Sequence, residues 1–252
     1  MLTHQPLTKL GEPFIELLQV DSTNNYALRL VKSGLSVNGS AIFAREQING
    51  RGQMGKVWQT NANENIIMSI IIDISTIHLQ NQFGLLAMAA LGCYDFFTKY
   101  AIEKTAIKWS NDLYWNDKKA GGILIETITH QRKRYAIIGI GININQTKFD
   151  EHLPNPISLK QITGKDFEIV ELAKEVCICV DKWYQVLQND DRELLLETYN
   201  KYLYKKNETG TLKKGNIKFN GTIKGVNEFG ELLVYNGFEQ NFKFGEVSFV
   251  NC

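Results

Sequence analysis

Cysteine, proline and histidine are scarce in this chain, four of each among 252 residues, and each scarcity closes off a class of function. Cys93, Cys177, Cys179 and Cys252 are scattered and form no C-x-x-C pair. That excludes a disulfide framework and a thiolate metal cluster and fits the reduced thiols of a cytoplasmic protein. Cys177 and Cys179 stand two apart in a helical-looking stretch and would not share a face. His4, His78, His130 and His152 are equally dispersed, leaving neither metal-ligand spacing nor the order of a Ser-His-Asp triad. No secretory leader is read at the start, and no apolar run approaches the ~20 residues of a membrane span. Neither sign of charge dominates. The 28 lysines and arginines face 27 acidic residues, so no global field draws in nucleic acid or a membrane surface, and any cationic site must be local. What the chain does have is 44% hydrophobic residues, enough to bury the core of one medium domain and a smaller one.

Glycine, by contrast, is clustered. Gly50 to Trp58 reads Gly-Arg-Gly-Gln-Met-Gly-Lys-Val-Trp. Glycine permits close backbone approach and φ > 0, so N–H groups of such a loop can converge on anionic oxygens, with Arg51 and Lys56 adding charge. Two familiar phosphate motifs nearly fit. The nucleoside-triphosphate loop fails at Val57, where a hydroxyl must ligand magnesium. The dinucleotide fingerprint Gly50, Gly52, Gly55, with Asp73 downstream, requires a helix opening at the last glycine. The run Gln59 to Asn65 is polar and turn-forming, with no 3.6-residue period, so no helix is expected there. The plain alternative is a surface turn carrying incidental charge.

The rest of the chain supplies elements in order. Phe14 to Leu18 reads as a strand. Asp21 to Asn25 is a run of capping residues ahead of an apolar pattern, a helix start. Ser22 and Thr23 are there either as caps or as polar groups facing a ligand at the helix's positive end. Ala41 to Ala44 reads as a strand leading to Gln47 and the glycine loop. Asn65 to Ile72 is almost continuously apolar, as in a strand covered on both faces. A helix is expected over Asn81 to Tyr100. Lys108 to Trp115 and Lys118 to Glu126 read as two strands joined at Asn116-Asp117, which would bring Lys108, Asp112 and Lys119 together. Tyr135 to Asn145 alternates, with Ile138, Ile140, Ile142 and Ile144 on one side and Gly139, Gly141, Asn143 and Asn145 on the other. The second face is bare, so another element can approach its backbone. Helices are expected over Glu168 to Leu187 and Arg192 to Tyr202. From Gly210 onward short strands predict a small β-barrel-like unit, with a boundary near Lys205.

Taken together, Gly50 to Trp58, Lys108 to Asp112, Lys119 to Gly122 and Gly139 to Asn143 resemble the signature blocks of biotin protein ligase, in the family's order. G-R-G-R-x-G-R-x-W is met with Gln53 and Lys56 at two arginine places. K-W-P-N-D has Ser110 for proline, K-x-A-G-I-L-x-E has Gly121 for alanine, and G-I-G-I-N-x-N is unchanged. Asp21 to Asn24 matches a further block. The resemblance implies an α+β fold, a mixed sheet with helices similar to the catalytic core of class II aminoacyl-tRNA synthetases over residues 1–204, and an SH3-like barrel over 205–252. It implies that biotin is activated by MgATP to biotinyl-AMP and passed to a lysine of a biotin carboxyl carrier protein, a subunit of acetyl-CoA carboxylase or a related enzyme. The short N-terminus resembles the monofunctional type, without a DNA-binding domain; a homodimer is common in the family.

By the same resemblance Ser22, Thr23, Asn24, Gln47, Arg51, Gly52, Gln53, Lys119 and Gly122 would meet biotin. Gln53, Lys56, Trp58, Lys108, Asn111, Asp112, Lys119 and Asn143 would meet ATP or the adenylate, with Mg²⁺ arriving on the nucleotide. Lys119, Arg51 and Asp112 would carry the chemistry. Gln53 departs from the family: glutamine loses the charge-assisted bonds an arginine makes to an adenylate. A lipoate ligase of the same fold and a non-catalytic biotin sensor are the alternatives.

Overall fold

The computed structural model describes residues 9–77, 82–101 and 103–250; His4, His78, Asn81 and Cys252 lie outside them. β1 (Phe14–Val20) and β2 (Ala41–Gln47) run parallel, joined by α1 (Thr23–Lys32). β3 (Asn65–Asp73) turns antiparallel to β2, then α2 (Gln82–Thr98) leads to β4 (Thr105–Lys108), β5 (Asp112–Trp115), β6 (Lys118–His130) and β7 (Lys133–Asn143). β7 inserts between β3 and β6, so one seven-stranded mixed sheet runs β1-β2-β3-β7-β6-β5-β4.

β3 is apolar almost throughout because both of its faces are covered. Ile66, Met68, Ile70 and Ile72 join the large core beneath α2 and α4 (Ile169–Gln188). Ile71 faces the other way, with Ile42 and Ile137, against Ala27 and Val31 of α1. α2 is buried nearly all round, from Leu85 to Phe97, which explains why its sequence carries little amphipathic period. Burial pushes the Cys177 thiol up to about 12 and that of Cys93 higher still, so neither offers a thiolate at neutral pH.

Two expectations about strands are corrected. Lys108 to Trp115 is not one strand: the chain reverses at Trp109-Ser110-Asn111, and β4 pairs with β5 antiparallel, Lys108 opposite Asp112. The turn-forming Ser110-Asn111 pair outweighs the apolar residues around it. The alternating strand ends at Asn143 rather than Asn145, because Asn145 exchanges side-chain hydrogen bonds with the backbone of Phe167. After α3 (Leu159–Thr163), α4 and α5 (Arg192–Lys201), Tyr202 and Tyr204 hydrogen-bond Ile107 on the open edge of β4. The chain then forms β8 (Thr209–Lys214), β9 (Ile217–Val226), β10 (Leu232–Tyr235), β11 (Glu239–Phe242) and β12 (Ser248–Phe249), a five-stranded antiparallel sheet ordered β11-β10-β9-β8-β12.

Gly92 is what lets α4 close on α2. A Cβ there would lie 2.6 Å from the Val180 Cα, a backbone atom that cannot move aside. Gly92→Ala is therefore expected to lower stability by about 1–3 kcal/mol, read as a fall in the urea midpoint without a change in slope.

Candidate active site

The site is built around an irregularity in the β5–β6 hairpin. Lys119 and Gly122 are three apart and would normally face opposite sides of a strand. Here Leu113 pairs with Gly121 but Tyr114 pairs with Lys119, leaving Ala120 unopposed. A bulge of this kind re-aims a side chain: it brings Lys119 onto the face of Asp112 and Gly122. Lys119 Nζ sits 2.7 Å from Asp112 Oδ1, both groups partly exposed. A Cβ on Gly122 would lie 3.4 Å from that carboxylate oxygen and 3.5 Å from the ammonium. The Lys119 backbone is clamped from the other side, its N–H to Asn155 O at 2.8 Å and its C=O to Ile157 N–H at 2.9 Å. Asn143, only 5% exposed, donates its amide to Ile157 O at 3.1 Å and to Lys119 O at 3.4 Å, which ties β7 to the same clamp.

Gly50 to Trp58 folds as a miniature hairpin. The Gly52 N–H bonds Lys56 O, Lys56 N–H bonds Gln53 O and Trp58 N–H bonds Gly50 O. Met54 and Gly55 at its tip take positive φ. Those three N–H groups are engaged inside the hairpin, so it is less of an open backbone cradle than its glycines suggest; charge for an anion comes from Arg51 and from the exposed Lys56. No helix follows, and the chain runs on to β3. Trp58 lays its indole on the bare backbone of β7, where a Cβ on Gly141 would meet the ring at 2.6 Å. Among the described residues the indole N–H is buried without a partner. Lys119 Nζ lies 5.9 Å from the ring centre, within cation–π reach.

The start of α1 closes the third side. Ser22 occupies the N-cap yet makes no side-chain cap bond and is 2% exposed; capping does not account for it. Gln47 Oε1 accepts from the Thr23 N–H at 2.9 Å. The Ser69 hydroxyl lies 2.8 Å from Thr23 Oγ1 and 2.6 Å from Asn24 Oδ1, and Asn24 packs over Gly139 where any Cβ would collide. Arg51 Nη2 pairs with Glu126 Oε1 at 2.7 Å and Nη1 donates to Asn25 Oδ1 at 2.8 Å. Asp21 holds this helix start in place by accepting from Arg29 and Asn25.

At the opposite end, Asn111 Nδ2 donates to Ile123 O at 2.7 Å and Gln53 reaches the same carbonyl at 3.5 Å. Lys108 stands directly opposite Asp112, as the sequence led one to expect, and Tyr114 stands opposite Lys119. The Lys108 ammonium bonds the Tyr114 hydroxyl at 2.8 Å and lies 5.3 Å from the Phe249 ring centre. Trp109 donates its indole N–H to Gly230 O at 2.9 Å and meets Phe244 edge-on. The C-terminal sheet thus grips the turn that carries Asn111. Among the described residues no cluster of three His, Cys, Asp or Glu is placed to hold a metal ion.

The model of the biotin/lipoate A/B protein ligase family matches residues 17–143, a span that includes every residue expected in the site. The chain belongs to that family. It is 31% identical over 232 residues to the bifunctional ligase/repressor BirA of Bacillus spizizenii, covering 89% of this chain and 70% of that one. To the biotin–[acetyl-CoA-carboxylase] ligase of Paracoccus denitrificans it is 28% identical, covering 86% and 92%. Its fold superposes on the biotin protein ligase of Aquifex aeolicus in complex with biotin and ATP with a TM-score of 0.81 at 26% identity, covering 96% of this chain and all of that one. The chain is accordingly a ligase of the biotin protein ligase type, with the mixed α+β fold and C-terminal antiparallel sheet of that group. No helix of the described residues is long and apolar enough to cross a membrane.

Sequence reasoning gave no role to Ser69, Asn25 or Glu126. Glu126 had a signal, as the last residue of the K-x-A-G-I-L-x-E block; Ser69 had none inside an apolar strand. Among the site's supports, Asp21 has a measurable signature. Hydrogen bonds from Arg29, then from Asn25 and the Ser22 backbone, hold its carboxyl well below the usual carboxylate range. A depressed folded value stabilises above the unfolded value of ~3.9 and is lost as pH falls through the folded one. Asp21→Asn should therefore melt below the parent at pH 7, and the gap between their melting temperatures should narrow on titration below about pH 4.

Proposed function

We propose that the protein joins biotin's carboxylate to the α-phosphate of MgATP, releasing pyrophosphate, and then passes the biotinyl group from biotinyl-AMP to a lysine ε-amine of a biotin carboxyl carrier protein, releasing AMP. The observation that carries this reading is the placement of the Lys119 ammonium. The bulged hairpin aims it onto the face of Gly122, with the glycine hairpin on one side and Asn111 and Asn143 near its strand. Two anions must be brought together, and a fixed cation in a preorganised setting offsets their repulsion and the charge that develops on phosphorus.

In this proposal the polar start of α1, with Ser22, Thr23, Asn24 and Gln47, receives biotin's ring system, and Arg51 and Gly52 close over its carboxylate side. Lys56 meets the phosphates, and Trp58, with its unpartnered N–H, walls the nucleotide. Magnesium arrives on the nucleotide as part of the substrate. Asp112 orients Lys119 in the first step and receives or orients the carrier amine in the second, a general-base role that requires reach to that amine. Residues 1–204 form the catalytic domain and 205–252 the C-terminal one. Gln53, neutral where the family has arginine, holds the adenylate with less charge.

The test is biotin-dependent exchange of labelled pyrophosphate into ATP. Exchange is expected with biotin and not with lipoate. Lys119→Ala should slow it by two to three orders of magnitude, about 3–4 kcal/mol at ~1.4 kcal/mol per tenfold. Exchange supported by lipoate, or unchanged in the alanine variant, contradicts the proposal.

A further inference from the structure

Glu126 stands outside every role assigned above, yet it joins three parts of the site. Its two carboxylate oxygens serve different elements. Oε1 accepts from Arg51 Nη2 of the glycine hairpin at 2.7 Å, and Oε2 accepts from Asn24 Nδ2 at the start of α1 at 2.8 Å. The carboxylate itself sits on β6, opposite Ile137 of β7. The Asn24 amide is thereby fixed in one orientation, Nδ2 toward Glu126 and Oδ1 toward the Ser69 hydroxyl over Gly139. Arg51 is fixed as well. With Nη2 on Glu126 and Nη1 on Asn25, two of its five N–H groups have partners among the described residues, which leaves the other three to an anion.

Only a carboxylate, which accepts at both oxygens and donates at neither, satisfies this pair of donors. A glutamine presents one oxygen and one NH₂, and the NH₂ must face either the guanidinium or the Asn24 amide. Arg51 is a long side chain whose guanidinium is 40% exposed; without its acceptor it regains rotamer freedom that ligand binding would have to remove. We infer that Glu126 is a positioning residue for the acid substrate: through Arg51 it presents the guanidinium to the substrate carboxylate, and through Asn24 it sets the polarity of the pocket that receives the substrate's ring. This rests on the assignment of the α1 start and Arg51 to biotin, and it predicts an effect confined to the acid and absent from the nucleotide.

Pyrophosphate exchange measured while varying biotin and ATP separately, for the parent, Glu126→Gln, Glu126→Asp and Arg51→Ala, tests it. Glu126→Gln should raise the KM for biotin about tenfold, the size expected when a charge-assisted pair loses one partner. The KM for ATP and kcat at saturating biotin should stay within about twofold; the partly exposed Arg51 pair adds little to stability, so any fall in melting temperature traces to the bond with the buried Asn24 amide. Glu126→Asp, which keeps both acceptor oxygens one methylene short, should recover part of the loss. Adding Glu126→Gln to Arg51→Ala should raise the biotin KM less than it does in the parent, since part of its effect runs through Arg51. An unchanged biotin KM in a folded Glu126→Gln variant overturns the inference. So does a joint rise of both KM values with a falling melting temperature, which marks a merely structural residue. A parent that shows no biotin-dependent exchange overturns the underlying reading instead, and the inference falls with it.

Discussion

Two glycines on β7 leave the middle of the sheet without side chains on one face, and the site depends on that bareness. Asn24 lies over Gly139 and the Trp58 indole lies on Gly141, each in a place that even a methyl group would occupy. Because the backbone can be approached there, α1 and the glycine hairpin come down onto the sheet from two directions. The same bareness recurs on β6, where Gly122 leaves the space beside the Asp112–Lys119 pair. The opposite face of the sheet carries isoleucines packed beneath α2 and α4. One alternating pattern therefore sets both the core and the floor of the site.

Two cation–carboxylate pairs stand at the centre of the site. Lys119 with Asp112 spans β5 and β6, and Arg51 with Glu126 spans the glycine hairpin and β6. Each cation is held by one carboxylate while keeping donors free, an arrangement that orients a cation without burying it unpaired. The C-terminal sheet adds no charge to these pairs. It acts on the turn between β4 and β5, where Gly230 O, Phe244 and Phe249 hold Trp109 and Lys108.

Much of this was legible in the residues. The period of β7, the two-sided burial of β3, the polar start of α1 and the absence of a helix after the glycine loop all follow from local pattern, because strand and helix periods are local properties. The bulge was not legible: nothing in Lys119-Ala120-Gly121-Gly122 says which residue goes unopposed, and that choice decides whether Lys119 faces Asp112 or the core. The contact of Lys108 with Phe249 was not legible either, since it depends on how the C-terminal sheet docks. Ser69 and Glu126 meet Asn24 from 45 and 102 residues away, a distance over which sequence pattern carries no register. The internal bonding of the glycine loop was not legible: its glycines show where N–H groups can converge, but not that those of Gly52, Lys56 and Trp58 are taken by the carbonyls of Lys56, Gln53 and Gly50.

The central claim is that this site joins a carboxylate to an α-phosphate and retains the product for an amine. It is tested most directly by a single turnover of excess protein with α-labelled ATP and biotin, quenched in acid. The account predicts that labelled biotinyl-AMP accumulates on the protein before any AMP appears, and that added carrier protein converts it to AMP as the carrier lysine is acylated. Label passing to AMP or ADP with no acyl-adenylate formed, or an adenylate forming equally well from lipoate, would contradict it.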